Sequence, residues 1–185
     1  DRIWMVGGGA FHLLDPHSNT LKRQALSPTE GPIPDVQNLK SNQEGWIAGI
    51  NNGIFFWFHA DAQKVSMLKI DDLPGSSYAQ SFGNGFDGFS FGAENKAYLF
   101  SNEVHVIDLV TGKKIHLKYD PTFNPNLQRI QYVGEDLKGN IWMSTFTLVG
   151  QYRLEKDSLI LIKSYTLKDG MSRPMSHELH IDQQD

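Results

Sequence analysis

Gly139-Asn140-Ile141-Trp142-Met143-Ser144-Thr145, running on to Gly150-Gln151-Tyr152-Arg153-Leu154, reads as two strands joined by a turn, and the chain repeats this arrangement. Ile3-Trp4-Met5-Val6 leads into Gly7-Gly8-Gly9-Ala10-Phe11-His12-Leu13-Leu14-Asp15. Gly45-Trp46-Ile47-Ala48-Gly49 leads into Asn52-Gly53-Ile54-Phe55-Phe56-Trp57-Phe58. A weaker copy is Lys96-Ala97-Tyr98-Leu99-Phe100-Ser101, then Val104-His105-Val106-Ile107-Asp108. The anchors Trp4, Trp46, Tyr98 and Trp142 are 42, 52 and 44 residues apart. A period of about 40 to 50 residues made of short strands is the mark of a β-propeller. The expected fold is therefore all-β, with residues 1–185 forming a single propeller segment of about four short antiparallel blades.

Within each copy the residues alternate as in half-buried strands. Alignment of the copies on Gly9, Gly53, Asn102 and Gly150 gives one face of Phe11/Leu13, Phe55/Trp57, Val104/Val106 and Tyr152/Leu154. The other face carries His12, Phe56, His105 and Arg153. The first set is expected inside, the second outward or between blades. Asp15-Pro16-His17-Ser18-Asn19, Asn51-Asn52-Gly53, Thr111-Gly112-Lys113 and Lys168-Asp169-Gly170 read as turns. No twelve-residue window has helical spacing with caps. The Gly- and Phe-rich insertion Phe82–Gly92 is expected to supply one strand, near Gly88 to Gly92, and a long loop.

Composition agrees with this reading. Gly is abundant at 17 residues and aromatics make up 11%, which suits turns and strands better than a helical bundle. The net charge of −4 argues against a nucleic-acid-binding surface. With no cysteine, disulfides, thiolate metal sites and thiol catalysis are excluded. No apolar run is long enough to read as a transmembrane span. The tail His180–Asp185 parallels Ile130–Asp136, which precedes the fourth anchor, so Asp185 sits where a fifth repeat would begin. This predicts a fragment of a larger propeller, with a closed four-bladed ring, the lower limit for closure, as the alternative.

Several motifs lose their chemistry for want of context. Gly83-Asn84-Gly85-Phe86-Asp87-Gly88 spells G-x-G-x-x-G, but a dinucleotide site needs a helix after it, and Phe89-Ser90-Phe91 alternates like a strand. Gly88-Phe89-Ser90-Phe91-Gly92 spells G-x-S-x-G, again with no helix to follow. His177-Glu178-Leu179-His180 is one residue short of a zincin motif, and histidines three apart on a strand point to opposite faces. Asp15-x-His17-x-Asn19 and Asp120-x-Thr122-x-Asn124 lack the glycine and glutamate of a calcium loop and read as Asx turns. Asp136 and Asp185 are expected to cap turns. No catalytic residue, cofactor site or metal ligand is assigned. The candidate ligand contacts are Phe56, His12, His105 and Arg153.

Glu135-Asp136-Leu137-Lys138-Gly139-Asn140-Ile141-Trp142-Met143-Ser144-Thr145, with Tyr165-Thr166-Leu167-Lys168-Asp169-Gly170-Met171 downstream, resembles the regulator-propeller repeat of bacterial two-component sensors. The match is strong over about 45 residues of the fourth copy. The first two copies are compressed, and the third lacks Asp-x-x-Gly and has Tyr98 for tryptophan. In that family, propellers form the periplasmic sensing part of membrane-anchored histidine kinases, often hybrid ones, commonly tuned to carbohydrates. The resemblance implies a non-catalytic, ligand-binding segment of a periplasmic sensor. Its partners would be a small-molecule or saccharide signal, the rest of the parent propeller and a second copy of the sensor, with no membrane insertion by this segment. A lyase- or lactonase-like propeller enzyme and a protein-binding scaffold are the competing readings, since fold alone does not assign function.

Overall fold

Short alternating runs punctuated by Gly, Asn and Asp turns give strands and almost nothing else. The computed structural model describes residues 3–24, 26–28, 36, 38–51, 53–62, 64–69, 72–73, 88–101, 103–119 and 129–170. Outside these lie most of the G-x-G-x-x-G segment, the Asp120 turn, the His177–His180 motif and Asp185.

The chain divides into two compact units, 1–72 and 73–185, each holding two sheets. In the first, β1 (Ile3–Gly7), β2 (Ala10–Asp15) and β3 (Thr20–Gln24) make antiparallel sheet I. Sheet II has the order β4-β8-β7-β6-β5, from β4 (Ser27–Pro28), β5 (Asn38–Ser41), β6 (Trp46–Asn51), β7 (Ile54–His59) and β8 (Lys64–Lys69). In the second unit, β9 (Gly88–Phe91), β10 (Lys96–Phe100), β11 (Val104–Asp108) and β12 (Lys114–His116) form sheet III in the order β12-β11-β10-β9. Sheet IV has the order β13-β17-β16-β15-β14, from β13 (Lys118–Tyr119), β14 (Ile130–Glu135), β15 (Asn140–Thr145), β16 (Val149–Glu155) and β17 (Ser158–Tyr165). Both β4 and β13 form an edge of their sheet and pair parallel with the next strand in, β8 and β17. A 3-10 turn, Leu167–Asp169, is capped by Thr166. Strand β9 lies where the insertion was expected to supply one. Ser90 there donates to the Val133 carbonyl and runs through a turn into β10, so no nucleophile elbow forms.

The same turn opens the second strand of sheets II and IV. Asn42 and Asp136 each accept from the backbone N–H four residues on, Trp46 at 2.9 Å and Asn140 at 2.8 Å. Gly45 and Gly139 occupy the left-handed position at φ 88° and 78°. Asn95, at φ 59°, fills it in sheet III, where Asp-x-x-Gly is missing. Asp136 does more than cap: its second oxygen accepts from Trp142 Nε1 at 2.8 Å and from the Asn140 side chain at 2.9 Å. Partial burial pushes its carboxyl pKa up, but bonds from Trp142, Asn140 and Lys138 outweigh it and hold it below the usual carboxylate value.

The register corrects two parts of the repeat alignment. Trp4 faces Leu13, Tyr98 faces Val106 and Trp142 faces Gln151, whereas Trp46 faces His59, one pleat nearer the turn. Ala48 holds the anchor position of sheet II. His12, Phe56 and His105 do share one position, opposite Met5, Gly49 and Leu99. Arg153 does not: Gly150 holds that place, opposite Met143, and Arg153 faces Asn140. Alignment on Gly150 treated it as a turn glycine. The turn actually lies at 145–148, closed by Thr145 N–H to the Leu148 carbonyl at 2.9 Å, and Gly150 sits inside the strand against the Tyr152 ring.

Each unit has its own core. Phe11, Ile47, Phe56, Phe58 and Val65 form one, with Trp4 packed edge-on to Phe58 at 5.1 Å. Tyr98, Val104, Val133, Ile141, Met143 and Tyr152 belong to the other. Burying side chains of this size stabilises by about 1.5–3 kcal/mol each. Trp142 is half-buried and stacks on Tyr165 of its own sheet at 6.2 Å.

Candidate functional site

Strand periodicity builds a polar face on sheet I. Leu13 and Asp15 alternate along one side of β2, and Thr20, Lys22 and Gln24 along one side of β3. The register sets Trp4, Leu13 and Lys22 abreast, with Asp15 opposite Thr20 and Gln24 opposite Phe11. At one end of this face Phe11 is fully buried, while Lys22 and Thr20 are exposed. The surface between them lines a cleft of about 470 Å³, completed by His17 and Ala60. One aromatic ring and several hydrogen-bonding side chains therefore converge on a single concavity, the usual composition of a small-molecule site.

The β2–β3 turn is held rigidly. The Asp15 carboxylate accepts from the backbone N–H groups of His17 at 2.9 Å and Ser18 at 3.3 Å. The His17 bond, then those from Ser18, hold its pKa below the usual carboxylate value. Ser18 and Thr20 share a hydroxyl hydrogen bond at 2.7 Å. Asp15 is thus an ionised acceptor at neutral pH, and it lines the same cleft as Lys22 of the neighbouring strand.

Of the four contacts expected from sequence, Phe56 is fully buried and meets Phe11 edge-on at 5.6 Å, so it is core. His12 is half-buried on the face of β2 opposite the cleft. His105 is fully buried in β11, its ring stacked on His116 at 4.8 Å. Arg153 is exposed and pairs with Glu155 at 2.7 Å. His12 and Phe56 lie in the first unit, His105 and Arg153 in the second.

Sequence reading missed Thr20, Lys22 and Gln24, because Thr20-Leu21-Lys22-Arg23-Gln24 has no apolar face to mark it as a strand. It also missed His116, although Thr111-Gly112-Lys113 between two alternating runs signals a hairpin that can face it to His105. Glu103, His105 and His116 bring three ligand-type atoms within 4.8 Å of one another, the cluster that could hold a metal ion.

No family model matches the chain, and no curated protein matches it by sequence. Solved structures do match in fold. The chain is similar to the C-terminal WD40 domain of Sif2 at TM-score 0.57 and 14% identity, covering 90% of this chain and 45% of that one. It is similar to YCF48 from Cyanidioschyzon merolae at TM-score 0.56 and 8% identity, covering 86% and 52%. It is also similar to the extracellular domain of BT3049, assigned to a hybrid two-component system of B. thetaiotaomicron, at TM-score 0.54 and 11% identity, covering 85% and 21%. This chain thus spans about half or less of each. No helix among the described residues is long and apolar enough to cross a membrane. The sheets and these likenesses together make the chain an all-β propeller segment.

Proposed function

We propose that this chain is a non-catalytic, ligand-binding segment of a periplasmic two-component sensor, and that its signal is a saccharide or similar polyhydroxylated molecule. The observation that carries this reading is the sheet I cleft, where Trp4 offers an apolar ring beside Asp15, Thr20, Lys22 and Gln24. A sugar presents C–H groups to an aromatic surface and hydroxyls to mixed donors and acceptors. The fourth repeat, and the distant likeness in fold to the BT3049 ectodomain, support placing such a site in a membrane-anchored sensor. The rest of the parent propeller and a second sensor copy are its protein partners in this reading, and nucleic acid is not among them. Binding would favour one of two arrangements of the parent, which the output domain reads.

The test is a titration with neutral and acidic oligosaccharides, followed by tryptophan fluorescence and melting temperature. A binding sugar raises the melting temperature, and Trp4→Ala and Lys22→Ala each remove that shift. A shift that survives both variants moves the site elsewhere; no shift with any sugar removes the saccharide reading.

A further inference from the structure

We propose that Glu103, His105 and His116 form a binding site for a divalent transition metal, zinc foremost, built into sheet III. This goes beyond the sensor reading and uses none of the cleft residues. The three side chains are brought together by strand geometry. Glu103 immediately precedes β11, two residues before His105, and the two side chains bring their ligand atoms into one cluster. His116 is the direct cross-strand partner of His105 on β12. Backbone bonds hold both ends of the cluster: Ser101 N–H to the Glu103 carbonyl at 3.1 Å, and Leu117 N–H to the Val104 carbonyl at 3.0 Å.

The donor set is two imidazoles and one carboxylate. Nitrogen and oxygen donors in that proportion suit zinc and its neighbours in the transition series rather than calcium or magnesium, which prefer all-oxygen shells. Three protein ligands also leave a fourth position open. The distances are near those a metal needs, and because the two imidazoles stack at 19° to one another, His116 must turn its ring plane before both can aim a nitrogen at one ion. All ligand atoms lie within 4.8 Å of one another, and His116 Nε2 is 3.8 Å from Glu103 Oε2. Tetrahedral bonds of about 2.0–2.2 Å would space ligand atoms about 3.4 Å apart, so the widest pair closes by up to about 1.4 Å as the His116 ring turns. His105 is fully buried, whereas the His116 side chain is 31% exposed and has room to turn. The cluster is also particular to this sheet. The residues matching His105 in the other three are His12, Phe56 and Gly150, which face Arg23, Met67 and Ser164.

The test uses the 185-residue chain after stripping with a chelator. Titration with Co²⁺ should produce the visible d–d absorption of a low-coordinate cobalt site at one equivalent per chain, and Zn²⁺ should displace it. His116→Gln and Glu103→Gln should each weaken Zn²⁺ binding by at least about tenfold, the loss that even an outer-shell change causes. His116 is partly exposed and Glu103→Gln conserves side-chain size, so circular dichroism should show the sheets intact. His59→Gln, at a surface histidine of the other unit, should bind Zn²⁺ as the parent does. Absence of the cobalt spectrum, or Zn²⁺ affinity unchanged in both His116→Gln and Glu103→Gln, would overturn the proposal.

Discussion

Ala48 lies directly opposite Trp57 in the β6–β7 pairing, both buried. In the other sheets the large ring stands on the earlier strand of the equivalent pair: Trp4 faces Leu13, Tyr98 faces Val106 and Trp142 faces Gln151. Sheet II reverses the pair. The volume is supplied from the second strand, where Trp57 stacks on Phe55 at 5.3 Å. Trp57→Ala should cost about 3–5 kcal/mol, as truncation of a buried aromatic does. Ala48→Trp should cost about 1–3 kcal/mol by overpacking. The double change Ala48→Trp with Trp57→Leu restores the sheet I arrangement and should lose less than the sum of the Ala48→Trp and Trp57→Leu single changes in urea melts. Strict additivity would show that the two positions do not share one volume.

Asp136 organises its turn with one oxygen and the Trp142 indole with the other. In the matching turn of sheet II, Asn42 does the first job alone. Asp136→Asn should therefore keep the turn but strand the indole N–H, at about 1–3 kcal/mol. Asp136→Ala loses both roles and should cost more. The carboxyl has its pKa lowered by folding, so its stabilisation is present above the unfolded value of about 3.9 and fades as pH falls through the folded value. The acid limb of the stability profile below about pH 4 should be shallower in Asp136→Asn than in the parent.

Tyr98 donates its phenol to Glu135 Oε2 at 2.8 Å, and the Ala93 N–H donates to the same oxygen at 3.0 Å. Burial, then the Glu135 charge, pushes the phenol's pKa far above its ordinary value, so it stays a neutral donor. Tyr98→Phe keeps the ring in the core but removes one donor from the carboxylate. The expected loss is about 1.5–3 kcal/mol, read by chemical denaturation with unchanged far-ultraviolet circular dichroism.

The propeller segment was legible because the anchors Trp4, Trp46, Tyr98 and Trp142 recur 42, 52 and 44 residues apart and because Asp15, Gly53, Gly112 and Asp136 mark turns. Register was less so. A shift of two residues along a strand keeps the same face, so alternation cannot tell Trp46 from Ala48 as the anchor. Gly150 misled for a different reason. A glycine can serve a turn or make room for a ring, and nothing in its neighbours separates the two. The candidate site was the least legible part. The cleft depends on β3, whose polar residues carry no burial signal. The His105–His116 pairing depends on hairpin register, which turn residues suggest but do not set.

Gly49 and Gly9 separate those two uses of glycine. Gly49 has ordinary strand backbone, but the Phe56 ring covers it. An added Cβ would lie 2.8 Å from Phe56 Cε1 and 2.9 Å from the Asn38 carbonyl. Gly49→Ala should destabilise by about 1–3 kcal/mol through overpacking. Phe56→Leu in the same chain should return part of that loss, because a shorter side chain vacates the space taken by the end of the ring. Gly9 is the opposite case, at φ 69° with nothing within 4 Å of an added Cβ. There only the backbone conformation matters. Asn adopts it with little strain, whereas a β-branched residue does not. Gly9→Asn should melt close to the parent and Gly9→Val well below it. If Gly9→Val melts like the parent, the β1–β2 turn does not hold the left-handed conformation in solution.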